Sequence, residues 1–255
     1  MAQTQAKYGS DGTLSYIKPG LGLGGVNNMW ADCPLLEWQH DPTIGIHWFD
    51  DFEGYVTTHN GLTEGGDATG SAVAGADTVL TITSHSHDED EYWVAGSTAS
   101  KFTLAAGRSL WFEALVKVTQ AAATSANACV GLVSLPQTAH TMQDANAGMV
   151  VDSSHIVFYK IDTGTVWNVA NSTDVGAGTT TALTSVATFT SGTWYRLGFK
   201  VTSNTLITWY INGVAVGSST TNFPTTAMSP KFNIHAGTAA ADVMDVDWFR
   251  LFQLR

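Results

Sequence analysis

The sequence has few charged residues, only two cysteines and no long apolar segment. Charged side chains make up 13% of the 255 residues, against a usual share of about 25%. No run of about 18 apolar residues occurs, so we expect no membrane-spanning helix. Cys33 and Cys129 are too few for a disulfide framework, and we expect both to be free thiols.

The sequence also has few positively charged residues. It contains 22 acidic and 11 basic residues, which gives a formal net charge of −11. Nucleic-acid binding requires a basic surface that neutralises phosphates, and an anionic membrane surface attracts basic segments. We therefore expect neither partner. The first residues, MAQTQAKYGSDGTLSYIKPG, contain no apolar segment typical of a secretory signal, so we expect synthesis in the cytoplasm without export by that route.

Residues 1–45 differ from the rest of the chain, because they are rich in glycine and follow no regular period. We expect an extended, mostly irregular N-terminal arm. Trp30, Leu35, Leu36 and Trp38 make this arm too apolar to lie free in water. Two alternatives follow: the arm packs across its own domain, or these four residues anchor it on a neighbouring subunit.

Residues 46–255 alternate short β-type runs with turn-rich segments. In SLWFEALVKV, a period of two places Leu110 and Phe112 on one face and Glu113, Leu115 and Lys117 on the other. Polar turns are predicted at Ser203–Asn204 and Asn212–Gly213. Many short strands separated by turns predict one all-β domain, a sandwich or a barrel.

The later strands resemble a known family. GTWYRLGFKVTSNTLITWYINGVAVGS resembles the central hairpin of concanavalin A-like (laminin G-like) jelly rolls, and DVMDVDWFRLFQ resembles the final strand of that superfamily, which includes β-glucanases. IHWFDDFEG resembles its first strand. The resemblance covers residues 46–255 and implies a two-sheet antiparallel jelly-roll sandwich in which the first and last strands pair. Fold alone does not imply function.

Enzymes of that fold carry the motif E-x-D-x-x-E, whose two glutamates act across a glycosidic bond. Here Glu113 is followed by Leu115 where the aspartate is expected and by Val118 where the second glutamate is expected. We therefore expect no enzymatic activity of this type and no catalytic residues.

The segment TSHSHDEDEYW is the strongest candidate for a metal site. His85 and His87 lie two residues apart, so in a strand they share a face, and Asp88 supplies a carboxylate. The alternative is a hydrated loop between two strands. The family resemblance also suggests calcium, with Asp50, Asp51 and Asp245 as donors near the first and last strands, although calcium requires six to eight oxygens. Otherwise we expect no cofactor.

Three aromatic residues are candidates for stacking on sugars: Trp93, Trp167 and Tyr195, which lie in or near predicted loops. The alternative is that they belong to the sandwich core or to subunit contacts.

The arm, the Thr- and Ala-rich jelly roll and the terminal DWFRLFQ strand also resemble structural proteins of tailed phages. This resemblance implies a non-enzymatic virion protein, a capsid decoration (cement) protein that binds the major capsid protein and neighbouring copies of itself, as a homotrimer. One alternative is a glycan-binding module of a phage fibre or tail appendage. A second is a divergent polysaccharide hydrolase or lyase.

Overall fold

The computed structural model describes residues 5–8, 14–17, 29–56, 61–66, 70–74, 78–84, 90–97, 102–122, 125–134, 142–143, 148–149, 153–173, 180–237 and 241–255. These residues are almost entirely in strands and turns. The helical elements are α1 (Leu35–His40) and a 3-10 turn (Pro42–Ile44). No helix among these residues is long and apolar enough to cross a membrane.

The strands follow in chain order. They are β1 (Gln5–Tyr8), β2 (Leu14–Ile17), β3 (Gly45–Asp50), β4 (Leu62–Gly66), β5 (Ser71–Ala74), β6 (Leu80–Thr83), β7 (Glu91–Gly96), β8 (Leu110–Thr119), β9 (Ala126–Ser134), β10 (Met142–Gln143), β11 (Gly148–Met149), β12 (His155–Lys160), β13 (Val166–Ser172), β14 (Thr180–Thr188), β15 (Trp194–Thr202), β16 (Leu206–Ile211), β17 (Val214–Ser219), β18 (Met228–Ala236) and β19 (Val243–Leu254).

Two antiparallel sheets pack face to face. The seven-stranded sheet has the order β14-β13-β12-β9-β18-β7-β4. The eight-stranded sheet has the order β17-β16-β15-β8-β19-β6-β5, and β3 also pairs with β19. The predicted two-sheet antiparallel jelly-roll sandwich is confirmed, including the pairing of its first strand with its last. β1 with β2, and β10 with β11, form separate two-stranded pairs.

The core lies between the two sheets and follows the period of two. In β8, Leu110, Phe112 and Val116 are fully buried against the other sheet. Burial of each such side chain contributes about 1.5–3 kcal/mol. Alternation therefore fixes which residues of each strand face the outside of the sandwich, and this positions the candidate site.

The two predicted turns are also confirmed. β15 and β16 pair on either side of Ser203–Asn204, where both residues have positive φ. β16 and β17 pair around Asn212–Gly213, again with positive φ at both positions. Such turns match the right-handed twist of the strands they connect.

The arm is less irregular than predicted. Besides β1 and β2, it contains α1, which is short because Pro34 precedes it and Pro42 follows it, and proline cannot continue a helix. Both cysteines are free, as predicted: Cys33 lies beside α1, and Cys129 is buried in β9.

Residues 29–44 of the arm pack on the outer face of the eight-stranded sheet. The Trp30 indole N–H donates to Glu113 Oε2 at 2.9 Å, and the Trp38 indole N–H donates to the Gly45 carbonyl at 3.1 Å. Leu35 packs with these two residues against an apolar cluster of Met29, Trp111 and Phe252. The structure thus favours packing across the arm's own domain over anchoring on a neighbour. The Leu36 side chain lies outside the described part of the structure.

Candidate functional site

An irregularity in β19 shapes the outer face of the eight-stranded sheet. The pairing of β19 with β8 shifts between Val246 and Trp248, so Asp247 is the extra residue of a β-bulge. On its other edge, β19 pairs with β6 up to Val246 and with β3 from Phe249 onward. The sheet is therefore interrupted at Asp247. Bulges of this kind occur frequently beside functional sites, where they redirect a side chain.

A groove with a volume of about 730 Å³ lies at this interruption. We call it the Trp194 groove. Its lining combines an aromatic ring, aliphatic side chains and charged groups, contributed by Val79, Thr81, Leu115, Lys117, Trp194, Asp245 and Asp247. A mostly apolar groove with a few convergent polar groups is the usual composition of a binding site for small molecules or sugars.

Trp194 is the first residue of β15 and pairs with Lys117 of β8. It remains 37% exposed, whereas Trp167 and Trp209 of the core are fully buried. The Lys117 ammonium lies 4.8 Å from the centre of the Trp194 ring, a cation–π contact that fixes the orientation of the indole. The groove thus contains a partly exposed ring held in place.

The two carboxylates of the groove differ in their partners. Asp245 accepts a hydrogen bond from Thr81 Oγ1 at 2.8 Å and forms an ion pair with Lys117 Nζ at 2.8 Å. Asp247 forms no hydrogen bond or ion pair with any residue in the described parts of the chain. Lys117 is therefore neutralised within the groove, while the charge of Asp247 remains available.

A charged cluster separates the groove from the arm. Glu113 lies between Arg196 and Arg250, with guanidinium nitrogens 3.0 Å from each of its carboxylate oxygens. The Arg250 guanidinium also stacks on Trp30, 4.1 Å from the ring centre, and lies 5.6 Å from the ring centre of Trp248. Trp248 pairs with Leu115, which lines the groove, so this stack bounds the groove on the side of the arm.

The outer face of the seven-stranded sheet is enclosed, and it combines buried polar side chains with an apolar cluster. Lys231 and Glu91 form an ion pair at 3.6 Å, and both are almost completely buried. Burial lowers the pKa of Lys231, and the neighbouring Glu91 carboxylate opposes that shift. Asn127 bonds to His235 at 3.0 Å. Asn233 is fully buried, and neither atom of its amide has a hydrogen-bond partner among the described residues.

The three aromatic residues predicted to stack on sugars lie elsewhere and are buried. Trp167 is fully buried between the sheets, and Tyr195 is buried with it. Trp93 lies on the enclosed face, over Gly65 and beneath Lys231. A ring without an exposed face cannot stack on a sugar, so the structure corrects this prediction and places Trp167 and Tyr195 in the core.

The structure describes only some of the predicted metal ligands. His85, His87 and Asp88 lie outside the described residues, so that prediction stays open. Of the calcium candidates, Asp50 accepts from the Phe52 N–H at 2.8 Å and faces Phe249 across the strand pair. Asp245 lies four residues earlier in β19, about 13 Å away along the strand. In the described ranges, no group of three or more histidine, cysteine or acidic residues could hold a metal.

The sequence patterns identified only part of the groove. Alternation in β8 correctly placed Leu115 and Lys117 on the outer face, and the strand resemblance had drawn attention to Asp245. Trp194 and Asp247 were missed. The sequence signal for Asp247 is a break in the alternation of β19. Val246 and Phe249 both point into the core although they lie three positions apart, whereas a regular strand would place them on opposite faces; a bulge between them is therefore required.

Comparison with known proteins supports the fold assignment. A family model described as SO2946-like, C-terminal domain, matches residues 67–247. The solved structure of SO2946 from Shewanella oneidensis MR-1, described as a protein of unknown function, is similar with a TM-score of 0.53 and 17% identity, over 83% of this chain and 87% of that one. No match was found among curated proteins.

Two other similar structures belong to carbohydrate-related proteins. Peanut lectin aligns with a TM-score of 0.59 and 8% identity, over 83% of this chain and 98% of the lectin. The endo-1,3-β-glucanase from Streptomyces sioyaensis aligns with a TM-score of 0.54 and 17% identity, over 81% and 95% of the two chains. At these identities the likeness concerns the fold.

Proposed function

This chain belongs to the family of SO2946-like C-terminal domains, and we propose that it is a carbohydrate-binding domain whose ligand lies in the Trp194 groove. The observation that carries the proposal is the partly exposed Trp194 ring, held by Lys117 beside polar groups at an interruption of the sheet. An indole offers a flat apolar surface to the C–H face of a pyranose, and the adjacent polar groups can bond to its hydroxyls.

The fold neighbours support this chemistry, because the names lectin and endo-1,3-β-glucanase both denote proteins with carbohydrate ligands or substrates. They do not specify a sugar or a position on the sandwich. The argument for the groove therefore rests on its own composition.

We further propose binding without hydrolysis. A glycosidase requires one carboxyl group that donates a proton and a second that acts as nucleophile or base. Asp245 already accepts a hydrogen bond from Thr81 Oγ1 and forms an ion pair with the Lys117 ammonium, so both contacts hold this carboxylate within the protein. Glu113, the remaining residue of the fold's catalytic pattern, is surrounded by two guanidinium groups.

The proposal is tested by titrating oligosaccharides of several backbones into the intact protein and into a Trp194→Ala variant, with calorimetry as the readout. We expect weak binding of at least one sugar, reduced by about tenfold or more in the variant, since an aromatic contact of this kind contributes roughly 1.4 kcal/mol. Phe49→Ala is the matched control, because Phe49 is 49% exposed and does not line the groove.

Two results would contradict the proposal. Equal affinity in the wild type and in Trp194→Ala would place the sugar elsewhere. Release of reducing ends that disappears in Asp247→Asn would show a hydrolase that uses this groove, which is the alternative favoured by the presence of two carboxylates.

The virion setting stays a prediction, as do the major capsid protein and a trimer as partners. A glycan-binding groove suits the fibre or tail-appendage alternative better than the decoration-protein alternative. Three of the arm residues expected to anchor on a capsid or a neighbouring subunit, Trp30, Leu35 and Trp38, contact the chain's own sheet, and their anchoring role stays a prediction.

A further inference from the structure

The charge balance of the Trp194 groove indicates which class of glycan fits it. Three ionisable side chains line the groove: Lys117, Asp245 and Asp247. The ammonium of Lys117 and the carboxylate of Asp245 are 2.8 Å apart and neutralise each other. Among the described residues that line the groove, the carboxylate of Asp247 is therefore the one charged group without an ion-pair partner.

The backbone explains why Asp247 has no cation beside it. In a regular strand, its cross-strand neighbours on β8 and on the opposite edge would supply contacts, as Lys117 and Thr81 do for Asp245. The bulge removes the partner on β8, and the change from β6 to β3 removes the partner on the other edge. Asp247 thus lines the groove together with Leu115 and Trp194, without a cross-strand partner of its own.

From this geometry we infer that the groove selects glycans that carry a protonated amine, of the glucosamine type, over neutral and acidic glycans. This inference rests on the proposed carbohydrate-binding function. The amine faces Asp247 while the pyranose ring stacks on Trp194. The net charge of −11 acts in the same direction, because it repels polysaccharides that carry carboxylate or sulfate groups.

The test compares tetramers of glucosamine, N-acetylglucosamine, glucose and a uronic acid, titrated at about pH 6, where an amine of ordinary pKa is protonated. We expect the glucosamine tetramer to bind about fivefold more tightly than the two neutral tetramers, the gain that a partly exposed ion pair provides. The uronic acid tetramer should bind most weakly. The preference for the amine should shrink as salt is raised.

Asp247→Asn separates the local contact from the general negative charge. We expect this variant to lose the preference for glucosamine over the neutral tetramers, because an amide carries no charge that attracts the ammonium. Asp51→Asn is the matched control, since it removes one negative charge at an exposed position outside the groove. It should retain the preference.

The outcomes are distinguishable. Equal binding of amine-bearing and neutral tetramers, still sensitive to Trp194→Ala, would overturn the inference and leave the proposed function intact. An equal loss of preference in Asp247→Asn and Asp51→Asn would also overturn it, because the effect would then come from the overall charge. Absence of binding by every tetramer would overturn the proposed function itself.

Discussion

The two outer faces of the sandwich have the same alternation of apolar and polar residues, but they differ in whether the polar residues reach solvent. On the eight-stranded sheet, Lys117 and Asp245 form their ion pair at the edge of an open groove. On the seven-stranded sheet, Lys231 and Glu91 form theirs with almost no solvent contact. An ion pair of a lysine with a carboxylate thus lies at an open groove on one face and is enclosed on the other.

The difference arises from what covers each sheet. The described part of the arm packs on the eight-stranded face around Trp111 and Phe252, and none of its residues lines the Trp194 groove. On the seven-stranded face, Met142 and Met149 of the β10–β11 pair pack on Val157 and Tyr159. Because an enclosed ion pair loses its hydration, its energetics differ from those of a pair at the surface.

The largest expected difference in the free energy of unfolding is between two lysine-to-methionine substitutions, one on each outer face. Lys231→Met leaves the Glu91 carboxylate buried without its ammonium partner, and we expect the free energy of unfolding to fall by about 4 kcal/mol. Lys117→Met leaves Asp245 partly hydrated, and we expect a loss of at most about 1 kcal/mol. Urea unfolding measures both values. Equal losses would show that the enclosed face is hydrated and that the comparison between the faces is wrong.

The second-largest expected effect is a loss of stability in acid that is caused by His155 on the enclosed face. Burial lowers the pKa of His155 to about 4, although its Nδ1 lies 2.8 Å from the Ser153 carbonyl, which opposes the shift. In the unfolded chain this histidine takes up a proton near pH 6.5, whereas in the folded chain it stays neutral until about pH 4. Its contribution to stability is therefore complete above pH 6.5 and is lost as pH falls to 4.

We expect this loss to reach roughly 3 kcal/mol, since each unit of pKa corresponds to about 1.4 kcal/mol. Thermal unfolding followed from pH 7 to pH 4 measures it, and His155→Gln should flatten the slope in that window. His40→Gln is the control, because His40 is exposed in α1. An unchanged slope in His155→Gln would show that the imidazole is hydrated.

The third effect tests the contact between the open face and the arm. Glu113 connects Trp30 of the arm to Arg196 and Arg250 of the sheet. We expect Glu113→Ala to lower the free energy of unfolding by about 2 kcal/mol, less than for Lys231→Met because both arginines keep contact with water. Limited proteolysis should then cut residues 29–44 faster. Glu53→Ala, at an exposed position, should change neither quantity.

These comparisons also show which features the sequence made predictable. The two-sheet jelly-roll arrangement was predicted from the resemblance of the strands to a known family. An all-β sandwich or barrel was predicted from alternation and turn residues, because patterns such as those of β8 and Asn212–Gly213 depend on local geometry. The outward direction of Lys117 followed for the same reason. The bulge at Asp247 was not predictable, because the segment D-V-D-W-F allows either set of alternating residues to face the core until the core partners of Val246 and Phe249 are known.

The enclosure of one polar face was not predictable either. A strand such as SPKFNIHA in β18 has the alternation of a sheet with one face in water. Whether that face is open depends on segments distant in the chain. Trp93 was a candidate for stacking on sugars because it was placed in or near a predicted loop, but it lies in β7 on the enclosed face.

The smallest expected effect has the opposite sign and concerns Asn233. Its amide is fully buried and lacks a hydrogen-bond partner among the described residues. Such a group costs about 1–3 kcal/mol in a folded protein. Asn233→Leu, of similar size, should therefore raise the free energy of unfolding by about 1 kcal/mol.

Asn127→Leu is the matched control on the same face. Its amide bonds to His235, and its carbonyl oxygen accepts from the Asp162 N–H at 2.8 Å. Removal of these bonds should lower the free energy of unfolding by about 2 kcal/mol. If Asn233→Leu were destabilising as well, the amide of Asn233 would have a partner in solution. The enclosed face would then contain solvent or a bound molecule. Polar groups on both outer faces would be hydrated, and the two faces would differ only in how easily a ligand reaches them.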